Sequence, residues 1–284
     1  MKLYENSSIK AVKNAHGFKF SKSLGQNFLA DKQIVDRIIE GADIKPDDTV
    51  IEIGPGMGVI TREAAERAAR VIAIELDKTL IPVLSDTLSG LDNVQIINQD
   101  ILKTDINELI GGEKAENVKI IGNLPYYITT PIIIKLLEEN TRADSLVIMT
   151  QKEVADRINA GPGSKAYGAL SVTVQFYCLT EKITDVGREC FVPSPKVDSA
   201  VLKLTFRKAP PVELRNRDIF FECVRAGFGQ RRKTLSNSLQ TLRGTDREMI
   251  RDSLDAAGID PARRAETLSI EEFARISDEV DKRL

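Results

Sequence analysis

From residue 48 onward, short β-branched runs alternate with segments of helical period, and this alternation most narrows the folds open to the chain. The spacing predicts strands at Thr49–Ile53, Arg70–Glu75, Val94–Asn98, Val118–Ile121, Ser145–Met149 and Val197–Phe206. Helices are expected between them at Ile60–Ala69, Lys78–Leu88 and Pro131–Glu139, the last with Thr130 as N-cap and Pro131 as its first residue. An earlier helix, Lys32–Ala42, follows an Asp31 cap and carries Ile34, Val35, Ile38 and Ile39. Such an order builds a parallel sheet covered by helices. Residues 169–179 read equally as strand or helix.

Two prolines in Lys208-Ala-Pro-Pro-Val212 end the pattern. Beyond them helices are expected at Arg217–Phe228, Arg232–Leu242, Arg247–Ala257 and Ile270–Asp281, with Leu235, Leu239 and Leu242 on one buried face. The expectation is therefore a main domain over 1–208 and a small helical domain over 209–284. A chain of 284 residues buries a core without covalent staples. Its three cysteines, Cys178, Cys190 and Cys223, are widely spaced with no C-x-x-C, which suits a reducing cytoplasm. The single histidine, His16, excludes multi-histidine metal sites. No signal-type stretch opens the chain and no apolar run reaches about 18 residues, so a cytoplasmic protein away from membranes is expected. Nothing suggests an obligate oligomer, and a monomer is expected.

Net charge is −2, but its distribution is uneven. The basic extension 1–22 carries Lys2, Lys10, Lys13, Lys19 and Lys22 against Glu5. Residues 225–251 carry Arg225, Arg231, Arg232, Lys233, Arg243, Arg247 and Arg251 against Asp246 and Glu248. Two basic patches on an acidic body fit a localised polyanion-binding surface, and equally a solvated tail and helix face.

After the first expected strand comes Glu52-Ile-Gly54-Pro-Gly56-Met-Gly58, whose glycines permit a tight turn and close approach of a ligand. The spacing is G-x-G-x-G, not the dinucleotide G-x-G-x-x-G, and no G-x-x-x-x-G-K-[ST] occurs. Alone, the loop also fits a turn without a ligand, though less well than a ligand site. Glu75, ending the second strand, is placed for a carboxylate to accept both hydroxyls of a ribose. Asp100, after the third strand, is placed to meet an adenine amino group. Together they indicate a nucleoside without a pyrophosphate, and suggest S-adenosylmethionine as cofactor. This pattern resembles that of class I methyltransferases.

The fourth strand runs into Gly122-Asn123-Leu124-Pro125-Tyr126-Tyr127. Turn chemistry alone explains an Asn-x-Pro at a strand end. The functional reading answers a chemical need: an exocyclic adenine amine is a poor nucleophile because its lone pair is delocalised into the ring. Acceptors on both N–H groups, from the Asn123 side chain and the backbone carbonyl before Pro125, help localise that pair. Tyr126 offers a stacking face, and Pro125 fixes the loop.

The loop is similar to that of N6-adenine methyltransferases, and Leu124 favours the ribosomal RNA enzymes over the DNA ones. Three further segments resemble the KsgA-type dimethyltransferases of small-subunit ribosomal RNA over about residues 17–284. They are Lys22-Ser-Leu-Gly-Gln26-Asn27-Phe28-Leu29, Phe191-Val-Pro-Ser-Pro-Lys-Val-Asp198-Ser199, and Phe228-Gly-Gln230-Arg231-Arg232-Lys233-Thr234-Leu235. The resemblance implies a class I methyltransferase (Rossmann-like) α/β fold: a seven-stranded, mostly parallel sheet with the last strand antiparallel, a helix at 169–179, and a small all-helical C-terminal domain. It implies transfer of two methyls from S-adenosylmethionine, without a metal, to N6 of each of two adjacent adenosines in the 3′-terminal hairpin loop, during small-subunit biogenesis. Asn27, Leu29, Gly54, Gly56, Glu75, Asp100 and Asn123 match cofactor-binding positions. Asn123, Leu124, Pro125 and Tyr126 match the acceptor loop, with Phe191 against the target adenine opposite Tyr126, although Gly187-Arg-Glu-Cys190 departs from the family's proline-containing loop there. Arg231, Arg232 and Lys233 would contact phosphates of the immature small subunit's RNA. Two rivals stay open: a macrolide-resistance methyltransferase of large-subunit ribosomal RNA, and a non-catalytic RNA-binding or assembly factor on the same fold.

Overall fold

A two-residue strand, β1 (Phe28–Leu29), precedes the alternating runs, which become β2 (Thr49–Ile53), β3 (Arg70–Glu75), β4 (Val94–Asn98), β5 (Val118–Asn123) and β6 (Ser145–Gln151). After them come β7 (Cys178–Val186), β8 (Phe191–Val192) and β9 (Ser199–Phe206). One seven-stranded sheet has the order β4-β3-β2-β5-β6-β9-β7, and β1 pairs with β8 in a separate antiparallel ribbon. The first four pairings from β4 to β6 are parallel, and β9 runs antiparallel to β6. Central strands read as unbroken apolar runs because both faces are covered: Val50, Ile51, Ile72, Ala73, Ile120 and Ile121 are fully buried. In this computed structural model the described residues are 2–18, 20–21, 24–111 and 117–284, so Lys19, Lys22 and Ser23 of the basic extension and first motif lie outside them.

The helices are α1 (Asn6–His16), α2 (Lys32–Ala42), α3 (Val59–Ala65), α4 (Ile81–Thr87), α5 (Ile106–Leu109), α6 (Thr129–Glu138), α7 (Lys152–Ile158), α8 (Ala169–Tyr177), α9 (Arg217–Gly229), α10 (Leu235–Ser238), α11 (Arg247–Ala256) and α12 (Ile270–Asp281). Asp31 caps α2 as expected, accepting from the backbone N–H of Gln33 and Ile34. Thr130 does not cap α6. The helix begins two residues earlier than expected, at Thr129, whose hydroxyl donates to the Pro125 carbonyl over 3.1 Å, and Pro131 falls within the first turn, where its missing N–H costs nothing. No described helix is long and apolar enough to cross a membrane.

The chain divides into two compact units, Met1–Ala155 with Leu179–Phe206, and Asp156–Cys178 with Arg207–Leu284. The first holds the sheet and packs α1 into its core through Ile9 and Val12. The second is helical and takes in residues 156–178, because Tyr167, Val172 and Phe176 are buried in one cluster with Phe220, Leu235, Leu239 and Phe273. The Phe176 and Phe220 rings lie 5.2 Å apart, and the Tyr167 hydroxyl donates to the Leu268 carbonyl over 3.0 Å. The ambiguous segment 169–179 is thus mostly the helix α8.

The basic run at 231–233 is not helical. Helix α9 ends at Gly229 and α10 begins at Leu235, leaving Arg231, Arg232 and Lys233 exposed in a turn closed by the Lys233 N–H on the Gln230 carbonyl, 2.8 Å. An Arg231 guanidinium nitrogen donates to the Lys165 carbonyl over 2.8 Å, which ties this turn to the preceding loop of the same unit.

Candidate active site

The carboxyl ends of β2, β3 and β5 open onto a cleft of about 1070 Å³, open solvent at its mouth included. Its position follows the rule for open α/β sheets, where ligands sit beyond the strand ends. Asn27, Leu29, Gly54, Gly56, Glu75, Asp100, Asn123, Leu124, Pro125 and Tyr126 all line it. Ten residues singled out from sequence, spread over a hundred positions, are therefore brought to one cavity.

The glycine loop works as its composition suggests. Gly54, Gly56 and Gly58 all have positive φ, at 71°, 61° and 83°, a region costly for any residue with a Cβ. A Cβ on Gly56 would press the Phe28 ring at 3.1 Å, whereas one on Gly54 would meet only the Asn123 carbonyl, at 3.8 Å. Gly54 therefore borders the open space.

Two carboxylates are buried in this wall. Glu75, 6% exposed, accepts from the Asp77 N–H at 2.8 Å and the Gly56 N–H at 3.3 Å. Glu52, 1% exposed, accepts from the Thr61 hydroxyl. Neither has a cationic partner among the described residues, and burial lifts Glu75 to about 7 and Glu52 to about 8. An ionised carboxylate taken from water without a counter-charge is expensive. A ligand bringing hydroxyl donors and positive charge would relieve that cost. Asp100 spends one oxygen on the Leu102 N–H at 3.0 Å. These residues fit a ribose, an adenine amino group and a cationic amino-acid tail.

At the other end of the cleft, the Asn123 amide donates to the Asn27 carbonyl over 3.0 Å. Its NH₂ is thus engaged, and its oxygen has no donor among the described residues. The Leu124 N–H donates to the Met149 carbonyl, 3.2 Å, fixing the loop to β6. Tyr126 is half-buried, its hydroxyl 2.7 Å from Ser199 Oγ, and burial raises its pKa so that it stays neutral. The Gln26 amide nitrogen donates to Asp77 over 2.7 Å, tying the segment before β1 to the loop after β3.

Phe191 is placed apart from these ten. It pairs with Leu29 in the β1–β8 ribbon, is 3% exposed, belongs to the hydrophobic core and does not line the cleft. Its ring packs in that core. Reading the sequence missed Leu76, Gln99, Ile101 and Tyr127, which line the cleft as well. Their signal was position alone, since each directly follows or precedes a residue that was found.

A seven-stranded mostly parallel sheet with a β-strand-end nucleoside cleft, a glycine loop and an Asn-Leu-Pro-Tyr loop defines a class I methyltransferase that uses S-adenosylmethionine. The model of the ribosomal RNA adenine dimethylase family matches residues 17–282, and the chain belongs to that family. It is 51% identical over 284 residues to ribosomal RNA small subunit methyltransferase A of Clostridioides difficile, covering 100% of this chain and 98% of that one. To the protein of the same name from Bacillus pumilus it is 50% identical over 280 residues, 97% of this chain and 96% of that one. Among solved structures, a dimethyladenosine transferase from Plasmodium falciparum aligns with a TM-score of 0.76 and 27% identity over 88% of this chain and 95% of that one. The 23S rRNA methyltransferase ErmE aligns with a TM-score of 0.70 and 31% identity over 90% and 100%. The chain is therefore an enzyme, a methyltransferase acting on ribosomal RNA.

Proposed function

We propose that this enzyme methylates N6 of two adjacent adenosines in the 3′-terminal hairpin loop of small-subunit ribosomal RNA, giving N6,N6-dimethyladenosines, within the immature subunit. The observation that carries it is the Asn123 amide: its nitrogen is spent on Asn27, so its oxygen is the end presented to an amine. The Leu124 carbonyl supplies the second acceptor, and Tyr126 stacks on the base. S-adenosylmethionine, when bound, supplies a methyl on a sulfonium, which needs no enzyme nucleophile. Glu75 receives the ribose hydroxyls, Asp100 the adenine amino group, and the backbone of Gly54 and Gly56 admits the cofactor's close approach, with Asn27 and Leu29 closing the wall. Catalysis is then largely positioning, the amine being held in line with the transferring methyl. A hairpin loop is where an adenosine is splayed out at least cost. Arg231, Arg232 and Lys233 meet phosphates and give affinity without sequence information. The enzyme acts in the cytoplasm as a monomer.

Names of the curated relatives support the small subunit, while the likeness to ErmE keeps the large-subunit reading as the second one. Methyl transfer from labelled S-adenosylmethionine to unmethylated small-subunit particles, with naked large-subunit ribosomal RNA in parallel, separates them by mass spectrometry of the nucleosides. Dimethyladenosine in the particle alone supports the proposal. Dimethyladenosine in the large-subunit RNA alone transfers the enzyme to the second reading, and no transfer to either leaves a binding factor.

A further inference from the structure

Six large apolar side chains are well exposed among the described residues: Leu76, Leu102, Tyr127, Leu179, Val197 and Leu284. Two of them, Leu76 and Tyr127, line the cleft. Leu76 follows Glu75 and so lies at the nucleoside end. Tyr127 lies at the other end, beside the acceptor loop, and at 57% is the most exposed of the six.

The two consecutive tyrosines are held differently. Tyr126 is half-buried with its hydroxyl on Ser199. Tyr127 has no hydrogen-bond partner among the described residues, and Gly25 lies near its ring. A Cβ built on Gly25 would lie 3.5 Å from the Tyr127 ring and 3.6 Å from Pro125 Cβ. Gly25 itself has a φ of 61°, so the chain beside the ring is in a tight turn. The cleft's rim thus presents an aromatic ring that is more than half open to solvent, one residue beyond Tyr126.

Resting on the reading that the substrate is a pair of adjacent adenosines, we infer that Tyr127 is the platform on which the second adenosine stacks while the first occupies the cleft. Splaying one base out of a loop strips its neighbour of a stacking partner, and an aromatic ring at the rim replaces it. Stacking of a base on an aromatic side chain is worth about tenfold or more in affinity. A purine neighbour gains more from this face than a pyrimidine, so Tyr127 favours a dinucleotide over a lone adenosine.

The test compares the parent enzyme with Tyr127→Ala and Tyr127→Phe on unmethylated small-subunit particles, resolving KM from kcat and counting dimethyladenosines. Tyr127→Ala raises KM for the particle about tenfold and leaves cofactor affinity and Tm unchanged, while Tyr127→Phe behaves as the parent. Binding of a synthetic RNA hairpin with two adjacent loop adenosines, with and without the second base, completes a double-mutant cycle. The parent loses about tenfold on removal of that base, and Tyr127→Ala loses nothing further. Parent-like KM in Tyr127→Ala, full additivity in the cycle, or a Tyr127→Phe as damaged as the alanine variant each overturns the inference. A parent that forms no dimethyladenosine on the particle sinks the proposed function, and this inference with it.

Discussion

The side-chain amide of Asn123 donates to the backbone carbonyl of Asn27 across 3.0 Å, joining two motifs 96 residues apart in the sequence. That one bond fixes which end of the amide is left for substrate. Asn123 ends β5 and Asn27 immediately precedes β1, so a strand end and the approach to the β1–β8 ribbon are held together at the cleft. Asn123→Ala removes the acceptor and should lower kcat on the order of 10²-fold, the scale for loss of one preorganised transition-state hydrogen bond. Asn123→Asp should be no better, because a carboxylate facing the Asn27 carbonyl sets acceptor against acceptor. Single-turnover methylation with saturating cofactor measures both, and a Kd for S-adenosylmethionine within a few-fold of the parent confirms that the loss lies in the chemical step.

The parts of this site that could be read from sequence are those where a side chain sits at the end of a buried strand. β2 and β3, buried along nearly their whole length, have the ends expected for them, and Glu75 and Asn123 fall where their runs stop, while β4, a part-exposed edge strand, is legible from its apolar Val94, Ile96 and Ile97 instead. Buried strands announce themselves because water is excluded from both faces. The edge strand β7 does not: Thr180-Glu-Lys-Ile-Thr-Asp185 is charged, as an edge needs to be to resist pairing with other chains, and so reads as loop. Helix α1 shows only Ile9 and Val12 to the core, too few for a period to stand out. Residues 156–178 belong with the C-terminal helices because of contacts made by Tyr167 and Phe176, which no local pattern reports. The burial of Phe191 is hidden for the same reason: an aromatic in a motif looks alike whether it faces a base or the core.

Burial of Glu75 and Glu52 sets a pH dependence with a definite sign. Both fold into sites that raise them from an ordinary value of 4.5, to about 7 and about 8. Between those limits the native state holds protons that the unfolded state has released. Their contribution to stability is therefore full below about 4.5 and is lost as pH rises through 7 and 8. Thermal unfolding of the ligand-free enzyme should show Tm falling over this interval, and less steeply in Glu75→Gln. Cofactor affinity should move the other way, strengthening from about pH 6 to about pH 8 as Glu75 ionises to accept two hydroxyls. Glu75→Ala should weaken binding by about 1.5–3 kcal/mol at pH 8. Calorimetry at several pH values reads both, and an affinity that is flat with pH and unchanged in the variant would remove Glu75 from the site.

The basic turn divides into residues with different duties. Arg232 and Lys233 are exposed, whereas Arg231 is bonded to the Lys165 carbonyl and lies 4.0 Å from Glu266. Replacing Arg232 and Lys233 together by alanine should weaken RNA binding and lower the salt slope by roughly 2, since each phosphate contact contributes about one unit. Arg231→Ala should lower the slope as well and also loosen the loop before α8, seen as faster amide exchange at residues 161–167. Cofactor affinity is unaffected in every case. RNA titrations at four or more salt concentrations decide it, and a slope equal to the parent's makes the turn a solvated surface.

Gly122 is required by packing rather than by backbone conformation. It pairs with Ile53 across β5 and β2, just before the acceptor loop. A Cβ there would lie 2.9 Å from Leu124 Cδ2 and 3.0 Å from the Ile53 carbonyl. The leucine is 1% exposed and the carbonyl belongs to the strand that leads into the glycine loop, so neither yields freely. Overpacking of this kind costs about 1–3 kcal/mol, and here the displacement falls on Asn123 and Leu124 themselves. Gly122→Ala should therefore lose activity out of proportion to its lowered Tm, because a shift of about 1 Å in the acceptors spoils the geometry on which the rate depends. Gly229→Ala, in open space near the end of α9, is the control that should keep the parent's activity. Measuring Tm and single-turnover rate for both variants tests the point, and a Gly122→Ala enzyme that is destabilised yet fully active would show that the loop reaches its geometry without this contact.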